Sequence, residues 1–157
     1  MTPNPTRMLP VLRLAVLCED VDHDGNERPA ILAFPVHAIR FPPGVSANYR
    51  PPVLNLYLQL QGGRGLYFFR VVLRVVGQSR EVTVAHFDEE LDAAEEVFPL
   101  ERAVALHRLV FPKPDVYELL LYANAVSLHE PSDHVSIPFP TVRVAVLPSE
   151  GFAGGTV

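Results

Sequence analysis

At 157 residues the chain fits one domain, which can bury roughly 68–70% of its unfolded surface. Thirteen Lys and Arg against eighteen Asp and Glu leave a net charge of −5 with no basic stripe, so nucleic-acid binding is not expected. Sixteen prolines, about twice the average share, argue against long helices and suit a domain rich in turns and sheet edges.

Residues 1–8 are polar, carry two prolines and are expected to form a disordered tail. Pro10–Asp20 reads as the first strand, with Leu12, Leu14, Val16 and Cys18 on one face. Val21–Arg28 is a polar turn. Pro29–Phe34 is a second strand, which Pro35 bends before Val36–Phe41. Pro42–Pro52 holds four prolines and Gly44 and reads as a surface loop.

Pro52–Gly77 is the stretch around which the rest is expected to assemble. Leu54, Leu56, Leu58 and Leu60 alternate with Val53, Asn55, Tyr57, Gln59 and Gln61. Period 2 is the strand period, and the leucines mark the buried face. Tyr67, Phe69, Val71, Leu73 and Val75 form the buried face of a following strand, because Arg70 and Arg74 then point to water. Gly62, Gly63 and Gly65 supply the positive φ of a tight turn, so the two strands are expected to pair as a hairpin. Its outward set includes Tyr57, Phe68 and Val72, more apolar surface than a free solvent face needs. Coverage by loops or tails is one account of them; a partner surface is the other.

Ser79–Arg80 makes a further turn. Glu81–Phe87 alternates, with Val82, Val84 and His86 on one side. Asp88–Glu96 carries six acidic residues in nine and reads as a short exposed turn or helix. Leu100–Phe111 and Val116–Leu128 are strands separated by Pro112–Asp115. The second buries Tyr117, Leu119 and Leu121. After the turn His129–His134, Val135–Leu147 closes the fold with a bend at Pro138–Pro140. Together this predicts an all-β, antiparallel β-sandwich of about eight strands, with at most one short helix around residues 88–96. The domain is expected to span residues 9–148, and 149–157 to be a flexible tail.

The order of features from Pro10 onward resembles a family of small bacterial all-β domains catalogued as a domain of unknown function. The features are Leu17-Cys18-Glu19-Asp20, Asp24-Gly25, Ile31-Leu32-Ala33-Phe34, the proline loop, Gly62-Gly63-Arg64-Gly65, Leu109-Val110-Phe111-Pro112 and Pro114-Asp115-Val116-Tyr117-Glu118. The resemblance covers residues 9–147. It implies a β-sandwich of immunoglobulin-like or C2-like type and brings no activity and no catalytic residues. The acidic segment 88–96 and the long loop 42–52 depart from the pattern.

The sharpest chemical motif is Asp20-Val21-Asp22-His23-Asp24-Gly25. Asp20, Asp22 and Asp24 match the alternate carboxylates of a calcium loop, and Gly25 its sharp turn. The twelfth position is Ile31 where a bidentate Glu belongs, and no helix flanks the loop. A solvated turn is the plainer reading, and any calcium binding is expected to be weak. The six histidines show no paired helical spacing and no Cys/His knuckle. His129, Asp133 and His134 share a turn, and His86 and His107 lie on strands that can be neighbours. Cys18, the single cysteine, sits on the apolar side of a strand and reads as an inert core thiol. It cannot form an intrachain disulfide, so a cytoplasmic location is expected. Residues 14–18 resemble a lipoprotein cleavage box, but Leu17 is too large for the position before the cysteine, and export is not expected. No run of ~18 apolar residues exists, so no membrane partner is expected. No nucleophile elbow, phosphate loop or dinucleotide fingerprint is present, and no cofactor is expected. Tyr117 after Pro114-Asp115-Val116 resembles a tyrosine corner, whose hydroxyl bonds back to the chain.

Three functions follow in order. The first is a non-enzymatic interaction or structural module, a homodimer or protein partner meeting Tyr57, Phe68 and Val72. The second is a small-ligand or weak calcium-binding module that uses the loops at one end of the sandwich. The third is a metal-dependent hydrolase built on histidines.

Overall fold

The computed structural model describes residues 10–19, 21–23, 29–31, 35–91, 100–125, 134–136 and 142–150. These residues form strands β1 (Val11–Cys18), β2 (Val21–His23), β3 (Pro29–Ile31), β4 (Ala38–Arg40), β5 (Asn55–Gln61), β6 (Gly65–Val75), β7 (Glu81–Leu91), β8 (Leu100–Ala105), β9 (Asp115–Ala125), β10 (His134–Ser136) and β11 (Val142–Leu147). Among the described residues there is no α-helix. One sheet has the order β1-β5-β8. A larger one has the order β4-β11-β9-β6-β7, with β10 also paired to β9. β2 and β3 pair separately.

The all-β expectation stands, with one correction to its antiparallel character. β4 runs parallel to β11, so the larger sheet is mixed. The two strands are about a hundred residues apart in the chain, and no short turn dictates their relative direction. The helix expected around residues 88–96 is also corrected where it is described. Asp88–Leu91 continues β7 and pairs with β6 as far as Gly65↔Leu91. Its acids are tolerated because alternation sends Asp88 and Glu90 outward. Glu89 turns inward, where the Arg102 guanidinium holds it with two hydrogen bonds of 2.6 Å. Arg102 lies on β8, so this pair joins the edges of the two sheets.

The largest correction concerns the central hairpin. β5 and β6 do not pair. β5 lies between β1 and β8, and β6 lies between β7 and β9. Gly62, Gly63 and Gly65 have φ values of 70°, 89° and 111°, and they carry the chain from one sheet to the other. The Tyr67 hydroxyl donates to the Arg64 carbonyl at 3.0 Å and pins this arch. Both inward faces are nevertheless as the alternation predicts. Leu56, Leu58 and Leu60 from β5 share one buried cluster with Tyr67, Phe69, Val71 and Leu73 from β6. Alternation says which side of each strand is apolar. It does not say whether two apolar sides lie next to each other or face each other.

Two bulges shift faces that simple alternation assigns. The register of β1 slips between Leu12 and Leu14. Leu12 is therefore buried and Leu14 exposed, and Leu17 takes the inward position opposite Leu56. In β7 the slip lies opposite Val71 and Val72, where Val84 is the extra residue. Val82 and Val84 remain on the inner side, while His86 turns outward beside Arg70. One added residue reverses every later side chain in a period-2 strand.

Candidate functional site

One end of the two-sheet body is built from two turns and a loop. β6 and β7 form a hairpin, closed by Gln78 N–H donating to Val75 O at 3.0 Å with Gly77 at φ 85°. Beside it, Pro112–Pro114 leads into β9. The loop before β5 is fastened to that segment by Asn48 N–H to Pro112 O and Tyr49 N–H to Phe111 O, both 2.9 Å. Asn48 holds this position at φ 51°, a left-handed value that asparagine tolerates better than most residues.

The tyrosine corner expected at Tyr117 is present. Its hydroxyl donates to the Lys113 carbonyl at 2.7 Å, and the buried ring lies 5.0 Å from that of Phe111. Burial pushes the phenol above its ordinary value of 10.0, and the nearby Asp115 carboxylate adds to the rise. The folded state thus holds its proton more tightly than the unfolded chain does. Stability from this group is full below pH ~10 and is lost as pH rises through the folded value. Tyr117→Phe should lower the unfolding free energy by about 1 kcal/mol at neutral pH, the net worth of one hydrogen bond. It should also flatten the alkaline fall of the urea midpoint. An unchanged midpoint at both pH values would count against the corner.

Between these turns lies a cleft of about 400 Å³, within the ~300–1,000 Å³ range of small-molecule sites. Its apolar walls are Leu73, Val75, Val82, Val110, Pro112 and Tyr117. Its polar lining is Asn48, Arg74, Gln78, Arg80 and Lys113, with no acidic side chain. The larger sheet is wider than the one it faces, and this leaves apolar surface uncovered. Val82 stands opposite the buried Leu73 yet is 50% exposed.

The three cations are not equivalent. The Arg74 guanidinium is committed to Glu118, with Nε 2.7 Å from Oε1, and lies 3.5 Å from Glu81. This commitment, foremost the Glu118 hydrogen bond, raises the Arg74 pKa further. Lys113 Nζ lies 3.5 Å from Asp115 on an exposed side chain. Arg80 has no ion-pair partner among the described residues.

The residues singled out from sequence fall elsewhere. Asp20 and Asp24 lie outside the described residues. The Asp22 backbone pairs with Ala30 in β2–β3, and its side chain is not described. The shared outer surface expected of Tyr57, Phe68 and Val72 is corrected, because β5 and β6 belong to different sheets and Tyr57 and Val72 are buried. Tyr57 is buried, its hydroxyl donating to Glu101 at 2.8 Å and accepting from Gln59 at 3.0 Å. Val72 is buried between the flanking Arg70 and Arg74. Phe68 is half-buried against His86, ring centroids 5.5 Å apart. Cys18 is fully buried, as expected, its thiol 3.4 Å from the Asn55 carbonyl. No group of three His, Cys, Asp or Glu among the described residues is placed to hold a metal ion.

Sequence reasoning missed Arg80, Lys113 and Gln78 as a set. Each sits in or beside a segment read as a turn, and only the pairing of β6 with both β7 and β9 brings those turns together. No family model matches the chain, and no curated protein matches it either. No helix among the described residues is long and apolar enough to cross a membrane.

Proposed function

We propose that this chain is a non-enzymatic β-sandwich that binds a small ligand in the cleft beside the tyrosine corner. The observation that carries the reading is the cleft itself, an apolar recess of about 400 Å³ rimmed by amides and cations. Ligand sites combine an apolar lining with a few polar groups in this way. The lining holds no Ser, Cys, His, Asp or Glu to act as nucleophile or general base. The Tyr117 hydroxyl is tied to a backbone carbonyl. This is the second function expected from sequence, a small-ligand module at one end of the sandwich, with different residues carrying it. A cytoplasmic location belongs to the same reading, since the single cysteine is buried and needs no oxidising compartment.

The test uses the neutral apolar fluorophore N-phenyl-1-naphthylamine. Saturable fluorescence enhancement is expected with the full chain. Val82→Trp should abolish it by filling the cleft from a half-exposed position, with an unchanged melting temperature. Absence of saturable enhancement, or equal enhancement with the variant, overturns the reading.

A further inference from the structure

We infer that the cleft selects amphipathic anions, with an acidic head at Arg80 and Lys113 and an apolar body along Val75, Val82 and Tyr117. This rests on the cleft being a ligand site and adds the charge of its ligand.

The whole chain carries a net charge of −5, yet the cleft lining contains three cations and no acid. Glu81 and Glu118 offset Arg74, and Asp115 partly offsets Lys113, so among the described residues Arg80 is the cation left uncompensated at the opening. Arg74 is neutralised by Glu118 and Glu81 and serves the sheet. Arg80 has no such partner among the described residues. The Lys113 backbone is fixed by the tyrosine corner, while its side chain stays 60% exposed and only loosely held by Asp115 at 3.5 Å. One cation without an ion-pair partner among the described residues and one loosely paired cation therefore stand on adjacent turns, beside the half-exposed Val82. A carboxylate head satisfies the cations with charge-assisted hydrogen bonds. A hydrocarbon body removes the exposed face of Val82 from water. A purely apolar ligand leaves the cations unused, and a cationic one is repelled.

Amide chemical-shift titrations of the full chain at low ionic strength with octanoate, octanamide and octylammonium separate the possibilities. Octanoate should bind roughly tenfold more tightly than octanamide, the ratio expected from a charge-assisted hydrogen bond at an exposed site. Octylammonium should bind weakest. The shifts should centre on residues 75–82 and 110–117. In the double variant Arg80→Gln, Lys113→Gln the preference for octanoate should vanish while octanamide binding persists. Equal affinity for octanoate and octanamide in the native chain overturns the charge selection and leaves the cleft a ligand site. Persistence of the preference in the double variant overturns the assignment to these two residues. Failure of all three ligands to shift cleft amides overturns both readings.

Discussion

Phe69→Ala will lower the unfolding free energy by about 3–5 kcal/mol, the usual range for deleting a buried aromatic ring. Phe69 is wholly buried at the middle of β6, which has neighbours on both sides. Its ring stacks on Phe87 with centroids 4.8 Å apart and lies 6.0 Å from Tyr67. The closest neighbours are therefore rigid rings on a paired backbone, and they cannot collapse into the space. Single domains are stable by only about 5–15 kcal/mol, so the variant should unfold at a much lower urea midpoint. Leu66→Ala, on the same strand but 48% exposed, should shift the midpoint by no more than about 0.5 kcal/mol. Comparable effects of the two variants would mean that β6 does not bury the face assigned to it.

Gly63→Val should be nearly as damaging, for a different reason. Gly63 sits in the arch between the sheets at φ 89°. A Cβ there would lie 2.8 Å from Leu91 Cδ1 and 3.1 Å from the Pro10 backbone nitrogen. The left-handed backbone costs about 1–3 kcal/mol for a residue with a Cβ, and more when it is β-branched. Crowding in a packed site adds about 1–3 kcal/mol. Gly62→Val is the matched control: its φ of 70° is also left-handed, but its Cβ would meet open space. It should show the strain alone. Urea denaturation of both variants gives the comparison. If they are equally destabilised, the close approach of Pro10 and Leu91 to the arch is wrong.

The arch shows where sequence reasoning is strong and where it stops. Period 2 identifies β5 and β6 and their buried faces correctly, because burial of one face is a property of each strand alone. The glycines between them are also read correctly as positions of positive φ. The pairing is not legible. A short glycine-rich connection can close a hairpin or cross between sheets, and only the competition of β1, β8, β7 and β9 for their edges decides. The expected surface of Tyr57, Phe68 and Val72 fails for the same reason, since it assumed that the two strands share a face.

The cleft was invisible for a related cause. Arg80, Lys113 and Asn48 lie in three separate turn or loop segments, each unremarkable by itself. Tyr117 was legible because the tyrosine corner is local: its hydroxyl reaches a carbonyl only four residues back. The sequence alone therefore determined the all-β class, the apolar faces of β5, β6 and β9, the buried thiol and the tyrosine corner. All of these depend on neighbours within a few residues. The tertiary structure decided which strands pair, where the bulges reverse a face and which turns stand together around the cleft. Those outcomes depend on contacts between distant segments, chosen by how two sheets of unequal width best cover one core.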